Sequence, residues 1–373
     1  MSANPILRFF RREPVLTIAF VCALCSAFWV RPSAAYLDYI DLRVLCLLFC
    51  LMAVVAGLQE CGVFLVLAQR LLTGELPVRR ITLILVMLPF FCSMLVTNDV
   101  ALITFVPFAI LVLEMVGRRE LLIPVISLQT VAANLGSMAT PVGNPQNLFL
   151  YAHFQLSMGD FLSLLFPLTL ISLVLLAAAS FYWGGKGWIH VSFPERVTIT
   201  SPKRLALYGV LFVLCLLSVC RVLPYGILTV IVIAALLLAS PRLLRQVDYM
   251  LLLTFVCFFI FSGNLGQMPS VRSALTSLMA GSPMLCSAAA SQVISNVPAA
   301  VLLSGLTQDW KGLLAGVDVG GLGTPVASLA SLISLKFYLR SRDARAGAYL
   351  KWFTLANLVG LAVLLPAAAH FAG

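Results

Sequence analysis

Apolar runs follow one another along almost the whole chain, separated by short loops that carry most of its basic residues. Nine runs, at about 14–30, 41–58, 121–150, 160–183, 205–221, 223–240, 248–262, 311–334 and 350–370, approach the roughly 20 residues a helix needs to cross a bilayer. Two of them, 121–150 and 311–334, are interrupted by Gly and Pro and predict broken spans. Two further segments, about 81–116 and 284–306, hold a polar tip between apolar limbs and predict hairpins. Gln59 to Thr73 and Asn264 to Ala280 are amphipathic, predicting helices at the membrane interface or tilted against the bundle. A closed barrel would show alternating segments of about 10 residues, which the sequence lacks. The fold class is therefore an all-α polytopic membrane protein.

Limb length separates a re-entrant hairpin from two full spans. Between Pro283 and Ser295 lie about 11 residues, which as helix cover about 16 Å, roughly half the hydrocarbon thickness. The second hairpin must be re-entrant. The longer limbs of the first, Ile81 to Val96 and Val100 to Val116, leave both forms open. The halves then align: residues 1–183 and 204–373 each give two or three spans, an amphipathic stretch, a hairpin, a broken span and a final span. The hairpins open to opposite faces, so the repeats are inverted. Residues 184–203, rich in Gly, Pro, Ser and charge, form a cytoplasmic linker. Inverted repeats with discontinuous helices are characteristic of secondary transporters with a site near the midplane.

Composition fits this reading: 61% of the 373 residues are hydrophobic and 10% charged. The net charge of +10 raises a nucleic-acid reading. However, the basic residues sit in short loops, which is the positive-inside signal of membrane topology. Arg31, Arg43, Arg221, Arg272 and Lys311 alone fall on the other face, which puts the N-terminus in the cytoplasm and the C-terminus outside. Arg8 to Arg12 before Val15 to Val30 mimic a signal peptide, but an uncleaved first helix suits a chain with this many spans. The cysteines show no metal-binding or disulfide spacing, and Cys22-Ala-Leu-Cys25 lies mid-helix, where cysteine packs as a small hydrophobe.

The chemistry concentrates in the polar tips. Thr97-Asn98-Asp99 interrupts an apolar stretch, and an ionisable group there is costly and usually functional. About forty residues on come Asn134 and the break Thr140-Pro141-Val142-Gly143-Asn144-Pro145-Gln146-Asn147. The second half repeats the pattern as Ser295-Asn296-Val297, then Asp318 and Thr324-Pro325-Val326-Ala327-Ser328. Asn144 is placed as an N-cap with Pro145 at the first helical position. Ser328 takes the matching place, and Asn98 or Asp99 and Asn296 would cap the second limbs. Four half-helix N-termini would converge mid-protein, favouring an anion, while unwound carbonyls and Asn and Thr oxygens favour Na⁺ or another small cation. Thr97, Asn98, Asp99 and Asn144 form the expected Na⁺ set. Glu60 and Glu114 fall near span ends. His153 and His190 fall in loops and His370 in a terminal turn, without an expected role.

These residues resemble the ion transporter superfamily of divalent anion/sodium symporters, citrate–metal carriers, arsenite permeases and NhaD-type antiporters. Those families carry a Ser/Thr-Asn-Thr or Asn-Asp tip and a Gly…Thr-Pro-x-Gly-(Thr/Asn)-Pro-x-Asn break in two inverted copies. The resemblance covers essentially the whole chain and is strongest to YbiR-like inner-membrane permeases. It implies substrate and ion binding at the tips and breaks, elevator movement, a bacterial inner-membrane location and a homodimer. Val297 and Ala327 depart from the symporter pattern and weaken a second cation site. Asp99 in place of Thr points to the arsenite and antiporter branch.

The expectation is a secondary active transporter of a small inorganic or carboxylate anion, or a cation, coupled to H⁺ or Na⁺ and needing no cofactor. An ion channel and an arsenite-type permease served by a separate ATPase are the alternatives. An intramembrane aspartyl protease using Asp99 and Asp318 lacks its Gly-x-Gly-Asp and Tyr-Asp signatures. The chain itself has no Gly-rich Lys-Ser/Thr phosphate loop.

Overall fold

A computed structural model describes residues 13–373. The basic cluster Arg8 to Arg12 therefore lies outside the described residues. Eighteen α-helices and one small sheet make up the described chain. The first half contains α1 (Pro14–Ala27), α2 (Ala35–Tyr39), α3 (Leu42–Glu60), α4 (Val63–Leu72), α5 (Val78–Cys92), α6 (Asn98–Met115), α7 (Leu122–Ser137), α8 (Pro145–His153) and α9 (Met158–Trp183). The second contains α10 (Pro202–Val219), α11 (Tyr225–Ala239), α12 (Tyr249–Gly266), α13 (Pro269–Gly281), α14 (Pro283–Ile294), α15 (Asn296–Ser304), α16 (Trp310–Val319), α17 (Leu329–Leu339) and α18 (Ala346–Ala372).

Among the described residues, six helices are long and apolar enough to span a membrane: α3, α6, α9, α10, α12 and α18. The protein is a polytopic helical membrane protein. Both predicted breaks are present, between α7 and α8 and between α16 and α17. The limbs of the second hairpin, α14 and α15, have 12 and 9 residues, about 18 and 14 Å of helix. Asn264, assigned from sequence to the second amphipathic stretch, instead closes α12, where its amide donates to Ser26 Oγ and Tyr36 Oη, both at 2.9 Å.

The helices sort into an inner and an outer set. Inside, α5 packs on α7 and α14 on α16, while α17 crosses to α6 and α8 to α15. Each half thus lends its second half-helix to the other half's hairpin. Two glycines at aligned positions permit close approaches. A Cβ on Gly136 would stand 2.0 Å from the Phe90 carbonyl oxygen, and one on Gly320 2.7 Å from Ala288 Cα. Outside, α1 packs on α12 and α3 on α10 and α11. Gln59 of α3 reaches the inner set, its Nε2 donating to Thr104 Oγ1 at 2.9 Å.

The linker is more ordered than its composition predicts. Trp188–Val191 (β2) pairs antiparallel with Gly74–Pro77 (β1), in the register Gly74 to Val191 through Pro77 to Trp188. His190 therefore lies in a strand and His153 ends α8, correcting their assignment to loops. Short alternating segments flanked by Gly carry little hydrophobic signal, which is why the strands were not legible.

Candidate functional site

Backbone unwound among helices needs partners from its surroundings, and the two breaks find them in the same way. Asn98 N–H donates to the Gly143 carbonyl at 3.1 Å, and Asn296 N–H to the Ala327 carbonyl at 2.9 Å. Thr140 Oγ1 donates to the Met94 carbonyl at 2.5 Å, and Thr324 Oγ1 to the Gln292 carbonyl at 3.0 Å. Asn98 Oδ1 accepts from Asp99 N–H at 3.0 Å, and Asn296 Oδ1 from Val297 N–H at 2.9 Å. Every member of one pair stands at the aligned position of the other, so each hairpin tip is tied to its own break by matching bonds.

The breaks are also tied to each other. Asn144 Nδ2 donates to Asp318 Oδ1 at 3.3 Å, while Ser328 Oγ donates to Asn134 Oδ1 at 3.0 Å. Asn144 aligns with Ser328 and Asn134 with Asp318. The residue opening each second half-helix thus reaches the residue near the end of the other half's first half-helix. Asn98 Nδ2 joins at Asn134 Oδ1, 3.0 Å away, and Asn134 Nδ2 donates to the Gly321 carbonyl at 3.4 Å. Asn98, Asn134, Asn144, Asn147, Ser295, Asn296, Asp318 and Ser328 are all buried. Thr97 and Asp99 are half-buried, and Thr324 is exposed.

One capping assignment holds and three change. Asn144 is a true cap, its Oδ1 accepting Asn147 N–H at 2.8 Å ahead of Pro145. Ser328 occupies the cap position of α17, but its hydroxyl makes no capping bond because it is spent on Asn134. Asn98 and Asn296 are the first residues of their helices rather than caps; Thr97 and Ser295 hold the cap positions without side-chain capping. Asn98 and Asn296 still satisfy one free N–H each, through the bonds to Asp99 and Val297.

Three polar groups stay unanswered at the centre. Asp318 Oδ2 and both amide atoms of Asn147 are buried without a hydrogen bond of good geometry among the described residues, although the Asn147 amide stands close enough to the Asp318 carboxylate to act on it. Asp318 Oδ1 receives a second donor, Gln146 Nε2 at 3.3 Å. Asp99 stands apart, with Oδ1 buried and unpartnered. No hydrogen bond joins Asp99 to Asp318, so the dyad of an aspartyl protease is not formed. The side chain of Asn144 is hydrogen-bonded to Ser137, Asn147 and Asp318. Pro141 and Gly143 are buried in the first break, and a Cβ on Gly143 would meet the Ser137 carbonyl oxygen at 2.0 Å.

Several residues of the site escaped sequence reasoning. Gln146 lies inside the recognised break, so the motif could have suggested it. Gln292 follows Ser291 and stands three positions before Ser295. Its Nε2 donates to the Gly320 and Leu322 carbonyls at 2.7 and 2.9 Å, and its Oε1 accepts Thr324 N–H at 2.9 Å. Asn357 of α18 accepts Gly323 N–H at 3.1 Å. The second break is thus held by side chains that its own motif does not contain. Ser295, at φ 72° and ψ 154°, occupies a region that residues other than glycine enter only under strain.

Broken helices crossing between two hairpins, with unanswered polar groups where they meet, define a membrane transporter rather than an enzyme. The comparisons agree and make the class particular. A family model described as CitMHS, citrate transporter, matches residues 6–335, and the chain belongs to that family. The transporter MJ0456 of Methanocaldococcus jannaschii is 34% identical over 297 residues, 79% of this chain and 80% of its own. The inner membrane protein YbiR of Escherichia coli is 32% identical over 346 residues, 89% and 90% of the two chains. A shorter match, 33% over 147 residues, is to the silicon efflux transporter LSI3 of rice, covering 39% of this chain and 30% of that one.

Proposed function

We propose that this transporter is a secondary active carrier of a small anion or ion, coupled to H⁺ or Na⁺. Its two halves are inverted-topology repeats with re-entrant hairpins, lying in a bacterial inner membrane with the N-terminus cytoplasmic and the C-terminus periplasmic. The observation that carries this reading is the reciprocal tie between the breaks, Asn144 to Asp318 and Ser328 to Asn134. Beside it, Asp318 Oδ2 and the Asn147 amide stand buried, near each other and without a hydrogen bond of good geometry among the described residues.

The chemistry follows from those atoms. A buried carboxylate oxygen without a partner is costly, and a bound proton or Na⁺ removes that cost. The N-terminal residues of α8 and α17 each reach the other half's first half-helix, Asn144 to Asp318 and Ser328 to Asn134, and these helix ends offer partial positive charge to an anion. Asn147 supplies a donor and an acceptor for either solute. Loading the ion thereby stabilises the tie through which the halves hold each other. The outer helices act as a scaffold, and as the homodimer contact, against which the inner set moves as an elevator.

Proteoliposome flux tests the reading. The solutes are citrate, dicarboxylates, sulfate, arsenite and silicic acid, each under a pH gradient and a sodium gradient applied separately. At least one is expected to accumulate under one gradient and not the other. Folded protein that moves every tested solute only down its own gradient would contradict coupling.

A further inference from the structure

On the face carrying the linker, a cavity of about 510 Å³ opens between α4 and residues 192–199. Its polar lining is Gln69, Arg70, Thr73, Ser192, Arg196 and Thr198, with no carboxylate among the lining residues. Neither arginine has an ion-pair partner among the described residues. The walls are fixed rather than collapsed. Gln69 clamps the linker to α4 with both ends of its amide, Nε2 donating to the Glu195 carbonyl at 3.1 Å and Oε1 accepting Val197 N–H at 2.8 Å. On the same helix, adjacent in sequence to the lining residues Val66 and Arg70, Leu67 and Leu71 are 43% and 45% exposed.

We propose that this cavity binds a phosphate-bearing anionic amphiphile, a phospholipid headgroup, with Arg70 and Arg196 on the phosphate and acyl chains along Leu67 and Leu71. Two unpaired guanidiniums in one concave site present forked donors that match phosphate oxygens. Basic pockets at a helix–membrane boundary are suited to lipid headgroups. The apolar side chains beside the arginines favour an amphiphile over a free anion. Phe193, in the linker wall, stacks on Phe108 of α6 at 5.9 Å between ring centroids. The lipid therefore sits one aromatic contact from the limb that carries Asn98 and Asp99. This inference does not depend on the proposed coupling.

The test is native mass spectrometry of the full chain in detergent, titrated with phosphatidylglycerol or with phosphatidylcholine. Wild type should retain phosphatidylglycerol preferentially, and R70Q/R196Q should bind it about 25-fold more weakly, at roughly a factor of 5 per arginine near a membrane surface. R79Q/R80Q removes the same charge from the start of α5 and should leave retention unchanged. Circular dichroism of each variant establishes that it is folded. Equal retention of both lipids, retention in folded R70Q/R196Q, or equal loss in R79Q/R80Q would overturn the proposal. Inorganic phosphate forms a separate arm: if it raises the thermal midpoint of wild type while phosphatidylglycerol does not, the site takes a soluble phosphate and the lipid assignment fails.

Discussion

Replacing Asn144 with Ala removes three hydrogen bonds at once, because its Oδ1 caps Asn147 N–H and its Nδ2 serves Ser137 Oγ and Asp318 Oδ1. A lost cap costs about 1 kcal/mol, and each of the other bonds about 1 kcal/mol net. Asn144→Ala should therefore destabilise the fold by about 3 kcal/mol. Its aligned counterpart Ser328 makes a single side-chain bond, to Asn134, so Ser328→Ala should cost about 1 kcal/mol. The two halves thus use the same position with different energies. Thermal unfolding in detergent, with both variants and wild type under one lipid and salt condition, reads the ranking. A double-mutant cycle of Asn144→Ala with Asp318→Ala, which removes the acceptor altogether, isolates the bond between the halves, with an expected coupling of about 1 kcal/mol. Equal losses for the two single variants, or no coupling in the cycle, would refute the reciprocal tie as described.

Three further outcomes follow from the packing and the tips. Gly136→Ala would drive a methyl into the Phe90 carbonyl, and overpacking against backbone should cost about 3 kcal/mol, read as a lower thermal midpoint. Gly209→Ala in α10 meets nothing within 4 Å and should stabilise the chain by about 0.5–1 kcal/mol through helix propensity; a loss there would show a missed contact. Ser295→Gly relieves the strained tip and should raise the unfolding free energy by about 1 kcal/mol, whereas a fall would mean that the Ser295 hydroxyl matters more than its backbone.

Much of the centre was legible because its chemistry is local. The spacing from Asn134 to Asn144 repeats from Asp318 to Ser328, and a polar residue inside an apolar run stands out without any structure. The pairing was not legible, because nothing in either repeat says that Asn144 reaches Asp318 in the other half. For the same reason Ser328 was read as a cap: the sequence shows its position in the helix but not the competing acceptor on Asn134. Gln292 and Asn357 were missed because lone amides in apolar helices look alike until the backbone they satisfy is known. The strand pair that binds Gly74–Pro77 to Trp188–Val191 joins segments too short to show periodicity.

The central claim is that ion binding at the crossing of the breaks drives transport. Asp318→Asn tests it most directly, since an amide oxygen in place of Oδ1 still accepts from Asn144 and Gln146 while the charge is gone. Gradient-driven uptake should be measured in proteoliposomes for wild type, Asp318→Asn and Asp99→Asn, using the solute and gradient that wild type responds to. Asp318→Asn should keep a thermal midpoint near wild type and lose accumulation driven by the ion gradient, and Asp99→Asn should weaken the same dependence. Undiminished gradient-driven accumulation in folded Asp318→Asn would contradict the account.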